Sequence, residues 1–156
     1  MINFYETPSF KEYEKKEYEK IKYMEDVIIE QEIIDDCIEK FKKYKCKKGE
    51  KLKIVKIDEI NNLWKKDKDK YISEIYEEIK YKNKYLNSKK DLLEKKIEIP
   101  PIIYYDEEKD LITFENGRHR FSNLRDLGCK EIPVIVNNNE TIKKIEELEK
   151  NDIILK

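Results

Sequence analysis

Apolar residues recur every three to four positions over the first 45 residues: Phe10, Tyr13, Ile21, Met24 and Ile28, then Ile34, Ile38, Phe41 and Tyr44. That spacing predicts helix, in one segment or two, and Ser9-Phe10-Lys11-Glu12 with Pro8 ahead of it reads as a capping box. After Gly49 the rhythm changes. Leu52, Ile54, Val55 and Ile57 predict a strand, Asp58 to Trp64 a short helical turn, and Asp69 a cap for a helix carrying Tyr71, Ile72, Ile75, Tyr76 and Ile79. Residues 80–98 are polar and predict a helix end and a loop. From Ile99 to Tyr105 the chain is β-rich, and Pro100 and Pro101 fit only an edge or a strand start. Asp106 to Asp110 make a turn, with Leu111 to Phe114 as the hairpin partner. Asn116-Gly117 then opens a helix through Phe121, Leu124 and Leu127, which Gly128 ends as a left-handed cap. Ile132 to Val136 is a buried strand, and Thr141 to Lys150 a final amphipathic helix. The expected fold class is α+β: a small mixed sheet with flanking helices (residues 49–156) behind an N-terminal helical extension (residues 1–48).

Composition narrows the function classes. Of 156 residues 44% are charged, yet the formal net charge is −1, so nucleic acid is the less favoured partner. No apolar run approaches the ~20 residues of a membrane span, and the N-terminus has no signal-peptide pattern. Cys37, Cys46 and Cys129 are scattered and odd in number, which fits reduced thiols rather than a disulfide framework or a zinc site. A cytoplasmic protein with no membrane partner is expected. Charge is nevertheless unevenly spread: Glu6 to Glu39 is acidic, and Lys40 to Lys56 holds nine lysines against Glu50 alone. This basic junction is either a solvated loop or a phosphate-facing patch. The apolar stripe of the arm needs cover as well, from the protein's own sheet, from a second copy in a homodimer, or from a protein partner.

Arginine is where the chemistry concentrates. Alanine is absent and lysine is the default cation, but Arg118, Arg120 and Arg125 fall within eight positions, beside the lone His119 and beside Gly117 and Gly128. A glycine turn into a helix presents unpaired N–H groups and a positive dipole end, and arginine's planar fork captures phosphate or carboxylate in bidentate fashion. Gly117, Arg118, His119 and Arg120 therefore read as an anion site, most naturally for phosphate; the alternative is that the arginines merely pair with surface carboxylates. Glu115, just ahead of the turn, is the candidate catalytic base or magnesium ligand.

The run Ile99-Pro100-Pro101-Ile102-Ile103, the hairpin, Asn116-Gly117-Arg118-His119-Arg120-Phe121, and Leu124 to Val136 with its Lys130-Glu131-Ile132-Pro133-Val134 resembles the ParB/sulfiredoxin-like fold over residues 51–137. The resemblance implies a nucleotide-binding domain in which Gly117, His119 and Arg120 contact phosphates of a nucleoside triphosphate, ATP or CTP, with Mg2+. Arg118 stands where the sulfiredoxin branch needs its cysteine, so sulfinic-acid reduction is not expected. The chromosome-partitioning branch carries helix-turn-helix and dimerisation domains that a chain of this length has no room for. Free-standing members include a nucleotide-dependent kinase and phage or plasmid proteins, so hydrolysis, phosphate transfer or sensing all stay open. The alternatives are a non-catalytic interaction protein using its N-terminal helices and, less favoured, a metal-dependent nuclease.

Overall fold

The computed structural model describes residues 30–73 and 82–155. By its contacts the chain divides into Met1–Ile33 and Ile34–Lys156. Residues 30–42 are helical, and the part of that helix from residue 34 onward (α1) belongs to the second unit, to which the following description refers. Ile34, Cys37 and Phe41 are buried in it, at the spacing of one helix face. The expected stripe from Phe10 to Ile28 lies outside the described residues.

After α1 come β1 (Lys51–Lys56), α2 (Ile57–Trp64), α3 (Lys82–Leu93), β2 (Ile102–Asp106), β3 (Leu111–Asn116), α4 (Arg118–Asp126), β4 (Glu131–Val136) and α5 (Asn139–Leu155). The class is α+β. Four strands form one mixed sheet in the order β1-β4-β2-β3. β1 and β4 run antiparallel with Lys51 opposite Val136, β2 and β3 form an antiparallel hairpin, and β2 meets β4 in parallel at Ile102 and Ile135.

Strand β4 lies inside the sheet, and its residues Ile132 to Val136 are all buried, as an uninterrupted apolar run requires when both faces are covered. Pro133 stands in this interior strand without costing a ladder bond. The Ile135 N–H donates to Pro101 O at 2.8 Å, toward β2, and Pro133 two residues earlier turns its nitrogen to that same side, ahead of the start of β2. Pro100 and Pro101 likewise stand before β2 rather than in it.

An aromatic cluster joins the helices to the sheet. Trp64, fully buried at the end of α2, has ring centroids of Phe114 at 4.7 Å, Tyr71 at 4.9 Å and Phe121 at 5.8 Å, all edge-to-face. That geometry suits the aromatic quadrupole and adds to the burial of the rings. On α5, the Thr141 N–H donates to Asn138 Oδ1 at 2.8 Å, an N-cap, while Thr141 Oγ1 accepts the Tyr105 N–H at 2.9 Å and fastens the helix to β2.

Two expectations need correction. Residues 82–93, inside the polar stretch read as a helix end and a loop, form a helix of their own, α3. Its buried apolar positions are only Tyr85 and Leu92, too few to register as an amphipathic period, and Tyr85 holds it to α4 through its hydroxyl, which donates to Asp126 Oδ2 at 2.7 Å. Asn123 Nδ2 adds a bond to Tyr85 O at 3.1 Å. Asp69 does not start a helix within the described residues: Tyr71 N–H closes a turn on Asp67 O, and Tyr71 to Ser73 are irregular. Ile75, Tyr76 and Ile79 lie outside the described residues. Among the described residues no helix is long and apolar enough to cross a membrane.

Phe121 is wholly buried in the aromatic cluster, against Trp64 and Phe114. Phe121→Ala should lower unfolding stability by about 3–5 kcal/mol in a urea titration followed by Trp64 fluorescence. A loss under ~1 kcal/mol would show that the cluster repacks without it.

Candidate anion-binding site

The turn from β3 into α4 is built on one residue. Gly117 has φ +89° and ψ 15°, the left-handed region where L side chains are strained. Space forbids a side chain as well: a Cβ would come within 2.8 Å of Pro101 Cα and 2.7 Å of Arg120 Nη2. Gly117 O accepts the Phe121 N–H at 2.9 Å and so begins α4, whose first-turn N–H groups have no acceptor inside the helix.

This helix start opens onto a cleft of about 680 Å³. Its lining comes from the β3–α4 turn, from Glu115 through Gly117 to Arg120, from Lys84, Asn87, Ser88 and Asp91 of α3, and from the segment Lys96 to Ile99. The structure thus brings together all five residues expected at the site: Glu115, Gly117, Arg118, His119 and Arg120. It adds the four from α3 that sequence reasoning missed. They fall at i, i+3, i+4 and i+7, one polar stripe on a helix; searching for apolar periodicity passes over such a stripe, whereas a polar period beside Tyr85 and Leu92 would have shown it.

Charge in the cleft is mixed, with Lys84, Lys96, Arg118 and Arg120 against Asp91, Glu98 and Glu115, and Lys96 pairs with Glu94 at 2.8 Å. Among the described residues Arg120 makes no ion pair, and its Nε and Nη2 are buried without a hydrogen-bond partner. Burial holds its guanidinium below the usual arginine pKa. Ser88 Oγ on α3 is also buried without a partner. His119 is driven down to about 4, chiefly by burial and then by the positive charges of Arg118 and Lys84. It is therefore neutral at pH 7 and adds no third positive charge beside the two arginines. Glu115 is exposed at the cleft's lip, where Asn137 Nδ2 donates to its Oε2 at 3.0 Å.

Arg125 takes no part in the cleft. Its Nη1 donates to Ile72 O at 2.9 Å and Asn61 Oδ1 at 3.1 Å, and its Nε to Asp126 Oδ1 at 2.9 Å. The guanidinium also lies over the rings of Tyr71 at 5.5 Å and Trp64 at 5.9 Å. It is a structural clamp between α2, α4 and the segment at Ile72. The cysteines stand apart from the chemistry too. Cys37 and Cys129 are buried, and burial pushes their thiols up to about 12 and about 11. Thiols so protonated are poor nucleophiles. Among the described residues no group of three or more His, Cys, Asp and Glu side chains is placed to hold a metal ion by itself.

Compared with known proteins, the chain matches no family model, no curated protein and no solved structure.

Native protein at pH 8 should react quickly with a thiol reagent at Cys46, which is exposed, and at Cys37 and Cys129 only after denaturation. Three fast thiols in the native state would contradict the burial. For His119, NMR titration should give a midpoint near 4. An unfolded histidine takes its proton near 6.5, so acidification favours the unfolded chain first. The stability linked to His119 is therefore complete above about pH 6.5, falls as pH drops toward 4, and levels off below it. His119→Gln should remove that component of the pH dependence.

Proposed function

We propose that this chain binds a nucleoside triphosphate, ATP or CTP, with its phosphates at the start of α4. The observation that carries this reading is the guanidinium of Arg120, buried beside a glycine turn with two of its nitrogens unbonded. A buried cation without a partner is costly, and an anion in the cleft would remove that cost by drawing the guanidinium out from against the turn. Phosphate suits the geometry because arginine's fork matches two of its oxygens while the helix N-terminus offers further N–H donors. Arg118 of α4 and Lys84 of α3 add charge, and Ser88 Oγ offers a hydroxyl from α3. Neutral His119 can donate or accept one hydrogen bond, and a phosphate beside it would raise its pKa.

Magnesium fits this arrangement as part of the ligand rather than as a resident ion. Mg2+ takes most of its oxygens from phosphates and water and needs only one or two carboxylates. Glu115 or Asp91 would hold it, and it would neutralise charge between phosphate oxygens. The likeness of the Gly117 to Arg120 box to ParB/sulfiredoxin-like proteins supports the same reading.

The test is a pair of measurements on one variant. Arg120→Met removes the charge and keeps much of the volume. It should weaken nucleotide binding by roughly tenfold to a hundredfold in calorimetry, the equivalent of about 1.5–3 kcal/mol for charge-assisted hydrogen bonds. The same change should leave the melting temperature of the free protein unchanged or raise it, because an unpaired buried charge is gone. Equal affinity of variant and wild type, or no binding of ATP or CTP by the wild type with Mg2+ present, would refute the reading.

A further inference from the structure

We propose that the nucleoside end of the ligand lies in a second hollow continuous with the first, so that α1 and the loop after it select which nucleotide is held. This rests on the reading of the cleft as a nucleotide phosphate site. The cleft ends at Glu98 and Ile99, and those two residues also wall an adjoining hollow of about 320 Å³. Lys40 of α1 and the following Lys43 and Tyr44 form its other side.

The two hollows differ in chemistry in the order a nucleotide needs. The first holds the arginines and the helix N-terminus. The shared ridge carries the Glu98 carboxylate, which repels phosphate and accepts hydrogen bonds from ribose hydroxyls. The second adds the side chains of Ile99 and Tyr44 to the charged Lys40, Lys43 and Glu98. Ile99 is 49% exposed, and Tyr44 lines the same hollow. Bases stack on such aromatic and aliphatic surfaces with little regard to sequence. The Tyr44 hydroxyl donates to Glu50 Oε1 at 2.9 Å, and the same oxygen accepts the Lys47 N–H at 2.8 Å, which orients the ring. Lys40 is not free to act as a phosphate ligand: its Nζ pairs with Asp36 at 3.1 Å and donates to Lys95 O at 2.6 Å. Its role is to hold α1 against the segment that leads to the ridge. Lys43 remains to donate to a ring carbonyl or ring nitrogen.

Calorimetry on the full chain with Mg2+ decides the matter, comparing inorganic tripolyphosphate with ATP, CTP and 2′-deoxy-ATP. The wild type should bind a ribonucleotide at least about tenfold more tightly than tripolyphosphate, the scale of one base stack. Tyr44→Leu should erase most of that advantage and leave tripolyphosphate affinity unchanged, and Ile99→Ser should weaken the ribonucleotides more than tripolyphosphate. Glu98→Gln should narrow the difference between ATP and 2′-deoxy-ATP. Ile99 is exposed, so its variant tests the idea without risk to the fold. If tripolyphosphate binds as tightly as the nucleotides, or the variants weaken both alike, the second hollow is not a nucleoside site, although the phosphate site stands. A short single-stranded oligonucleotide binding more tightly than any mononucleotide would also overturn the proposal. If the wild type binds neither tripolyphosphate nor nucleotide, the phosphate site itself fails, and this inference with it.

Discussion

Everything at the cleft depends on the absence of one Cβ. Gly117 sits in the left-handed region with Pro101 Cα and the Arg120 guanidinium too close to admit a side chain. That close approach sets the end of β3 against the entry to β2 and starts α4 at the next residue. It also folds the Arg120 side chain back against the turn, where solvent cannot reach two of its nitrogens. A single steric constraint thus places a strand end, a helix N-terminus and a buried cation within one turn of chain.

Electrostatics around that turn follow from burial more than from sequence neighbours. Arg118, His119 and Arg120 are adjacent, yet they do not make a cluster of three positive charges. Desolvation and two nearby cations keep the imidazole neutral, so the repulsion that three like charges would create is avoided. The cost that remains is an arginine without an anion, and functional sites commonly retain such unsatisfied groups at the expense of stability.

The neighbouring helices make the turn usable. Arg125 clamps α4 to α2 and to the carbonyl of Ile72, and the edge-to-face rings of Trp64, Phe114 and Phe121 lie beneath the same helix. Tyr85 and Asn123 hold α3 to α4, so that the polar stripe of α3 lines the same cleft as Arg118 and Arg120. Lys40 of α1 and the residues after it line a separate hollow that shares Glu98 and Ile99 with the cleft.

The sequence by itself determined the hairpin, the buried strand Ile132 to Val136, the glycine turn and the α+β class, because each rests on local signals: alternation, an apolar run, or glycine at a position needing positive φ. It also marked Glu115, Gly117, Arg118, His119 and Arg120 as neighbours, since adjacency in sequence at a strand-to-helix turn is adjacency in space. What it could not carry was anything decided by contacts distant along the chain. α3 has too few apolar positions to announce itself and is held in place by Asp126 and Asn123, roughly forty residues away. Arg125 looks no different from Arg118 or Arg120 in sequence, and only the positions of Ile72, Asn61 and the aromatic rings make it structural. The charge of His119 likewise depends on its burial and on Lys84 of α3. Local pattern specifies the turn, whereas desolvation and partner choice are properties of the packed whole, and these fixed which arginine faces the cleft and which holds the core.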